Sequence, residues 1–81
     1  MKATVLVRPK EGILDPQGQA VEQSLRKLGF DVAHARVGRV VDVEVKAESP
    51  DEARVKVDEM CKQLLANPLI ESYEIEFVEE A

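Results

Sequence analysis

The stretch from Val32 to Lys46 constrains the fold of this chain more than any other. It is rich in β-branched and small residues and contains one glycine, Gly38. From Arg39 onward, valines alternate strictly with charged residues, which is the pattern of a strand with one buried face. Glycine can adopt the positive φ that the first position of a type II′ turn requires. The stretch therefore predicts two antiparallel strands that turn at Gly38-Arg39.

A strand and a helix are predicted before this hairpin. Residues 2–9 form the strand, which ends at a proline because proline cannot donate to a β-ladder. Asp15-Pro16 has the composition of a helix start, with a capping carboxylate followed by proline at the first helical position. The apolar stripe of this helix runs to about Leu28, and Gly29 provides a left-handed C-terminal cap that Phe30 is expected to close.

A helix and a strand are predicted after the hairpin. Ser49-Pro50 opens the helix, and Glu52 is placed to complete a capping box. Asn67-Pro68 ends the helix, with the asparagine expected in a left-handed turn. The last strand covers about Ile70–Val78, and a tail, Glu79–Ala81, follows it.

This order of elements predicts an α+β domain of the ferredoxin-like type, β-α-β-β-α-β, covering residues 1–81. Its four-stranded sheet carries both helices on one face, with the first and third strands parallel at the centre and the others at the edges. The uncovered face of the sheet mixes charged and aliphatic residues. It is either a solvated face or a surface that packs on a second copy or a larger protein.

Composition excludes several classes of function. The chain has 81 residues and a formal charge of −5, which argues against a nucleic-acid-binding surface. The longest apolar runs fall well short of a membrane-spanning segment or a signal-peptide core, so no membrane partner is expected. The single cysteine rules out an intrachain disulfide and fits a reducing cytoplasm.

The residues offer no catalytic or metal-binding constellation. His34 is the one histidine and is expected in a strand, in a structural or surface role. Cys61 lies on the apolar stripe of the second helix and is expected to behave as a small hydrophobic residue. One cysteine and one histidine cannot build a metal site within one chain. The glycines also lack the spacing of phosphate-binding loops, so this chain is predicted to bind no cofactor.

Five segments of the chain resemble the PurS-type small subunit of phosphoribosylformylglycinamidine synthase, and the resemblance extends over essentially the whole length. The first and the last of these segments are specific to the family, and the three between them are shorter. Lysine is more common in that family at the position of Arg39, a difference that preserves charge. The segments are Pro9–Gly18, Leu28–Phe30, Arg36–Arg39, Met60–Cys61 and Leu65–Glu71.

The resemblance implies a non-catalytic subunit of the ligase that uses glutamine and ATP in purine biosynthesis. In that family a large subunit performs the ATP-dependent ligation and a glutaminase subunit releases ammonia. The small subunit, as a homodimer that can pair further, bridges the two and helps ammonia to pass between them. The resemblance therefore implies ATP, Mg²⁺ and glutamine as cofactor and substrates of the complex, none of them bound by this chain.

The resemblance also implies that a partner interface lies on the segments that carry it. Ile13 and Leu14 are expected as aliphatic anchors, because a loop is otherwise an unusual place for two bulky aliphatic residues. Polar contacts are expected around them from Asp15, Arg36, Arg39, Asn67 and Glu71. Helix capping is an adequate structural explanation for Asp15 without a partner, and hairpin geometry around Gly38 is one for Arg36 and Arg39. The alternative function is an ACT-like regulatory module, with a small ligand near the loop of residues 10–14.

Overall fold

The structure is a computed structural model, and it describes residues 1–78, so the predicted tail at 79–81 lies outside the described residues. The α+β class predicted from the sequence is confirmed. The elements in chain order are strand β1 (Lys2–Pro9), helix α1 (Pro16–Lys27), strand β2 (Arg39–Glu44), helix α2 (Pro50–Met60) with a π-helical continuation (Cys61–Leu65), and strand β3 (Glu71–Val78).

The sheet has three strands among the described residues, in the order β2-β1-β3, and both pairings are antiparallel. In the central strand, Val5 lies opposite Val41 on one side and Ile75 on the other. The third predicted strand, which begins at Arg39, corresponds to β2 of the structure. Its predicted parallel pairing with the first strand is wrong. The chain returns to the sheet beside the end of β1, where Val7 pairs with Arg39, so β2 must run in the opposite direction.

Residues 32–37, predicted as the first strand of the hairpin, form no strand in the structure. They run beside α1, and side chains of α1 and its N-cap bind their backbone groups in place of a β-ladder. Residues 1–78 therefore do not contain the fourth strand of the expected sheet. The hydrogen bonds join Arg26 to the carbonyls of Val32 and Ala33 at 2.9 and 3.0 Å, the Ala35 N–H to Glu22 at 2.9 Å, and the Val37 N–H to Asp15 at 2.9 Å.

Gly38 is required for packing and not for a turn. Its φ is not positive, since Gly12 and Gly29 are the described residues with positive φ, so the predicted type II′ turn is wrong. A Cβ atom at Gly38 would instead collide with the backbone carbonyl oxygen of Val7 in β1. The glycine allows the chain to approach β1 closely just before β2 begins.

The predicted caps of α1 are confirmed. The Asp15 carboxylate accepts a hydrogen bond from the Gly18 N–H at 3.0 Å. At the other end Gly29 has a φ of 96°, and the Phe30 N–H donates to the Leu25 carbonyl at 3.1 Å. This is the pattern of a Schellman cap. The Phe30 side chain is nevertheless 60% exposed.

The start of α2 also follows the prediction, whereas its end does not. The Ser49 hydroxyl accepts from the Glu52 N–H at 3.1 Å, and the Glu52 carboxylate accepts from the N–H of Glu48, one residue before the cap. Asn67 does not adopt the predicted left-handed conformation. Its side-chain oxygen accepts from the Leu69 N–H at 3.1 Å, which forms a local turn without positive φ.

The core lies between α2 and one face of the sheet. Val5 and Val7 of β1 and Val57 and Cys61 of the second helix are fully buried there, so Cys61 occupies the predicted core position. Helix α1 contributes no residue to this core. The expectation of two helices on one face of the sheet is therefore not met within the single chain.

The chain is long and flat. Its extents are 50 × 31 × 14 Å and its radius of gyration is 16.0 Å, whereas a compact domain of this length has about 12 Å. Among residues 1–78, no helix combines the length and apolar character needed to cross a membrane.

Candidate partner interface

The loop after β1 and the turn before β3 meet at one end of the sheet. The Lys10 N–H donates to the Ile70 carbonyl at 2.9 Å, and the Lys10 ammonium donates to the Pro68 carbonyl at 2.7 Å. The turn is closed on itself, because the Ile70 N–H donates to the Asn67 carbonyl at 3.1 Å. Hydrogen bonds within the chain thus fix the two segments together.

These two segments carry four exposed aliphatic side chains, which we call the aliphatic surface: Ile13, Leu14, Leu69 and Ile70. Leu14 is 71% exposed and Leu69 is 83% exposed. Three of the four, Ile13, Leu14 and Ile70, line one open groove of about 240 Å³. Pockets for small ligands usually enclose about 300–1,000 Å³. A small open groove rimmed by exposed aliphatic groups is more typical of a contact with another protein.

An ion pair between Arg39 and Glu71 lies at the edge of the aliphatic surface. These are the first residues of β2 and β3. The Arg39 guanidinium contacts both carboxylate oxygens of Glu71, at 2.6 and 3.0 Å, and also donates to the Leu65 carbonyl at 2.6 Å. The Glu71 carboxylate accepts a further hydrogen bond from the Asn67 N–H at 2.7 Å. The pair therefore joins the start of β2 to the segment between α2 and β3.

The same contacts shift the pKa values of both partners. The hydrogen bond from Arg39, and after it that from the Asn67 N–H, lowers the pKa of Glu71 below its ordinary value of 4.5. The hydrogen bond to Glu71 raises the pKa of Arg39. Both shifts favour the charged pair, so the pair is intact at neutral pH.

We expect Glu71→Gln to lower the free energy of unfolding at pH 7 by about 1–2 kcal/mol, because it removes a charged acceptor of three hydrogen bonds. The folded pKa of Glu71 lies below its unfolded value. The stabilisation is therefore fully present above about pH 4.5 and is lost as the pH falls through the folded pKa. Urea unfolding of the wild type and the variant between pH 7 and pH 3 should show the difference shrinking with acid.

Glu74→Gln is the matched control. Glu74 lies 3.8 Å from Arg8, and both side chains are more than half exposed, so its loss should change the free energy of unfolding by less than about 0.5 kcal/mol. A constant difference between wild type and Glu71→Gln across the pH range would contradict the assigned role of the pair.

Asp15 lines the groove, but both of its oxygens bind the chain itself. One accepts from the Gly18 N–H and the other from the Val37 N–H. The hydrogen bond from Val37, followed by that from Gly18, lowers the pKa of Asp15 below its ordinary value of 3.8. Capping and the attachment of residues 32–37 account for this side chain.

The structure brings most of the predicted interface residues together. Ile13, Leu14, Asp15, Arg39 and Glu71 line the same groove. Asn67 is joined to that groove by its hydrogen bond to Glu71. Arg36 does not line this groove, but it lines a neighbouring groove of about 530 Å³ together with Ile13, Leu14 and Asp15.

Sequence reasoning missed the aliphatic residues of the turn, Leu69 and Ile70, and the role of Lys10. Two aliphatic residues directly after Asn67-Pro68, a turn sequence, were the available signal. Ile70 was assigned to the last strand, in which alternate residues are normally buried, and Leu69 was assigned to no element. The strand begins only at Glu71, so Leu69 and Ile70 remain in the turn.

The reactive side chains His34, Cys61 and Tyr73 do not line the groove beside the aliphatic surface. His34 lies in the segment of residues 32–37, which is not the predicted strand. Its imidazole Nδ1 is 3.0 Å from a carboxylate oxygen of Glu22. Burial raises the pKa of the Cys61 thiol. The hydrogen bond from the Tyr73 hydroxyl to Asp58 raises the pKa of Tyr73 to about 12. In the described part of the chain, no three histidine, cysteine, aspartate or glutamate side chains are grouped so that they could hold a metal ion.

Comparison with known proteins gives one consistent family. Residues 2–79 match the sequence model of the PurS family, described as phosphoribosylformylglycinamidine (FGAM) synthase. Phosphoribosylformylglycinamidine synthase subunit PurS of Methanocaldococcus jannaschii is 40% identical over 75 residues, covering 91% of this chain and 90% of the relative. The subunit PurS of Bacillus subtilis is 41% identical over 80 residues, covering 98% and 93%.

Solved structures agree with the sequences. A chain of the PurLQS structure from Thermotoga maritima matches with a TM-score of 0.86 and 34% identity, covering 93% of each chain. The PurS structure from Thermus thermophilus matches with a TM-score of 0.79 and 43% identity, covering 96% of each chain. The extended shape described above is thus similar to that of solved chains.

Proposed function

Because the chain belongs to the PurS family of phosphoribosylformylglycinamidine synthase subunits, we propose that it bridges the synthetase and glutaminase subunits of that enzyme. The enzyme of these relatives is a ligase of purine biosynthesis, and we assign this chain to it as the assembly subunit. In the proposed division of labour the large subunit carries out the ATP-dependent ligation, the glutaminase releases ammonia, and this chain holds the two in register.

The observation that carries the proposal is the aliphatic surface. Leu14 and Leu69 are among its most exposed side chains, yet hydrogen bonds from Lys10 hold their two segments in one arrangement. A fixed surface with exposed anchors loses little conformational entropy on binding. The ion pair of Arg39 with Glu71 supplies a polar rim, as is usual at protein interfaces.

The proposal assigns no reaction step to this chain. ATP, Mg²⁺ and glutamine bind the other subunits, and the chain acts in the cytoplasm as a homodimer. The interface residues proposed for its larger partners are Ile13, Leu14, Asp15, Arg36, Arg39, Asn67 and Glu71, together with Leu69 and Ile70. Membership of the PurS family sets the chain apart from ACT-like regulatory modules, the alternative that the fold alone allowed.

Reconstitution tests this function directly. The purified synthetase and glutaminase subunits are combined with and without this chain, and product formation is followed with glutamine or with an ammonium salt as nitrogen source. We expect ammonia to support turnover in both mixtures, and glutamine-dependent turnover to fall at least tenfold without this chain. Glutaminase activity measured alone provides the control.

Equal glutamine-dependent rates in the two mixtures would overturn the proposed bridging role. A loss of both the glutamine and the ammonia reactions would overturn it as well, because it would place this chain in the ligation step itself.

A further inference from the structure

A third groove, next to the two described above, is lined by arginine. It has a volume of about 500 Å³, and Arg8, Arg36 and Arg39 lie along it. The chain as a whole carries a formal charge of −5, yet none of the described residues that line this groove is acidic. We call it the arginine groove, and it is a local concentration of positive charge on an acidic protein.

The close approach of Gly38 to β1 brings these arginines together. A Cβ atom at Gly38 would lie 3.3 Å from the Cα atom of Arg8, and Arg36 and Arg39 stand on either side of this glycine in the sequence. Like charges that the backbone holds close to one another repel unless a counter-charge lies among them. The arginine groove is therefore a charge pattern that the fold imposes and that a partner can relieve.

The charges of Arg39 and Arg8 are satisfied within the chain to different degrees. The Arg39 guanidinium is held by both carboxylate oxygens of Glu71. Arg8 lies 3.8 Å from Glu74, and both side chains are more than half exposed. Exposed pairs of this kind contribute little. Arg39 is thus committed to the chain itself, whereas Arg8 can exchange its partner at little cost.

Arg36 has the largest share of its charge left over. Its side chain is exposed and makes no hydrogen bond or ion pair with the described part of the chain. Hydrogen bonds from Val37 and then Gly18 are the main reason for the lowered pKa of Asp15, to which the charge of Arg36 adds. Both Asp15 oxygens already accept from those two N–H groups. The planar donors of the Arg36 guanidinium, which match a carboxylate, therefore remain for a group outside the chain.

The arginine groove is continuous with the aliphatic surface. Gly38 and Arg39 line both this groove and the smaller one beside the aliphatic surface. The half-buried Leu6 and Val40, which is 60% exposed, also line the arginine groove and give it an apolar part. Arginine is enriched at protein interfaces and among their hot spots. A partner that covers the aliphatic surface can therefore extend over Arg39 onto this groove.

From these observations we propose that the arginine groove receives an acidic segment of one of the two larger subunits, with carboxylates on Arg8 and Arg36 and apolar atoms on Leu6 and Val40. The inference rests on the bridging role proposed above and names the chemistry of the partner on this side of the interface. A small phosphorylated ligand fits less well, because the Arg39 guanidinium is already bound and a phosphate group cannot use the apolar part of the groove.

Zero-length cross-linking of Arg36→Lys tests the contact. The substitution keeps the positive charge and supplies an amine, which a carbodiimide joins to a carboxylate only where the two are in contact. In the assembled complex we expect mass spectrometry to show position 36 linked to an aspartate or glutamate of the synthetase or the glutaminase, and the linked peptide identifies which. The matched control is Arg54→Lys, an exposed position on α2 outside the groove, which should not be linked to either subunit.

Charge reversal provides a second measurement. We expect Arg8→Glu combined with Arg36→Glu to weaken binding to the partner subunits about 30-fold or more, because carboxylates would then face carboxylates. The loss should shrink as NaCl is raised, since salt screens this repulsion. The matched control is Lys46→Glu combined with Arg54→Glu, the same change of charge at exposed positions outside the groove, which should stay within about threefold of wild type.

Several results would overturn the inference. Cross-links from position 36 to a second copy of this chain would make the arginine groove a contact between copies, and the absence of any cross-link there would leave it without a carboxylate partner. Equal weakening by the charge-reversed variant and its control would reduce the effect to net charge. If inorganic phosphate weakened partner binding more than NaCl of equal ionic strength, the groove would be a site for a phosphate group.

These outcomes are distinguishable from failure of the proposed function. The glutamine and ammonia assays use the wild-type chain, so they measure bridging without reference to the arginine groove. Glutamine-dependent turnover that needs this chain, together with no cross-link at position 36, would overturn the acidic segment and leave the bridging role standing.

Discussion

Replacement of Gly38 by alanine is expected to lower the free energy of unfolding by about 3 kcal/mol, at the upper end of the cost of overpacking a core. The added methyl group would collide with the carbonyl oxygen of Val7 and lie 3.2 Å from the Val7 carbonyl carbon. Val7 is 1% exposed and sits in the central strand. Since the obstacle is backbone and not the end of a flexible side chain, β1 and β2 must separate to make room.

The matched control is Gly12→Ala. Gly12 has a φ of 83°, so alanine there is strained, but a Cβ atom meets nothing within 4 Å. Its cost should be about 1–2 kcal/mol, the ordinary penalty of the left-handed region. Urea unfolding at a fixed protein concentration measures both. A cost at Gly38 no greater than that at Gly12 would show that β1 and the chain at Gly38 make room for the methyl group, and that glycine is not required for their close approach.

Gly38 also shows where prediction from the sequence stops. A single glycine between two β-branched runs favours a hairpin turn by local rules. The structure uses the missing side chain for contact with a strand thirty residues earlier in the chain, which no local pattern reveals. The capping residues Asp15, Gly29 and Ser49 were predicted correctly because each acts on backbone groups within four residues of itself.

Residues 32–37 illustrate the same limit for strands. Their composition favours extended backbone, and the backbone is not helical, but composition cannot say what pairs with it. Here the partners are the side chains of Glu22, Arg26 and Asp15 and not another strand. Alternation identified the buried face of β2 and of β3 correctly, because half-burial against α2 depends only on which side of a strand a residue occupies.

The candidate interface could be predicted in part for a related reason. Ile13 and Leu14 stood out because aliphatic residues are unusual in a loop. Arg39 and Glu71 were expected as polar contacts with a partner, and the structure shows that they pair with each other across 32 positions of sequence. Pairing over that separation follows from the sheet register, which the predicted parallel arrangement had wrong.

Charged replacements on the aliphatic surface should have the largest effect on assembly. We expect Leu14→Asp combined with Leu69→Asp to weaken binding to the synthetase and glutaminase subunits at least 30-fold, the equivalent of one interface hot spot of about 2 kcal/mol. Both side chains are more than two-thirds exposed in the free chain. Fold and melting temperature should therefore be unchanged, and the loss should be confined to the complex.

Titration calorimetry against the mixed partner subunits measures the affinity, and Val55→Asp, an exposed change on α2, is the matched control expected within threefold of wild type. Turnover adds a second measurement. If the aliphatic surface anchors the complex, glutamine-dependent turnover of the double variant should fall at low subunit concentration and recover at high concentration, while turnover with ammonia stays constant. Unchanged affinity would remove the aliphatic surface from the interface, because two buried carboxylates without partners cannot be accommodated in a packed contact without cost.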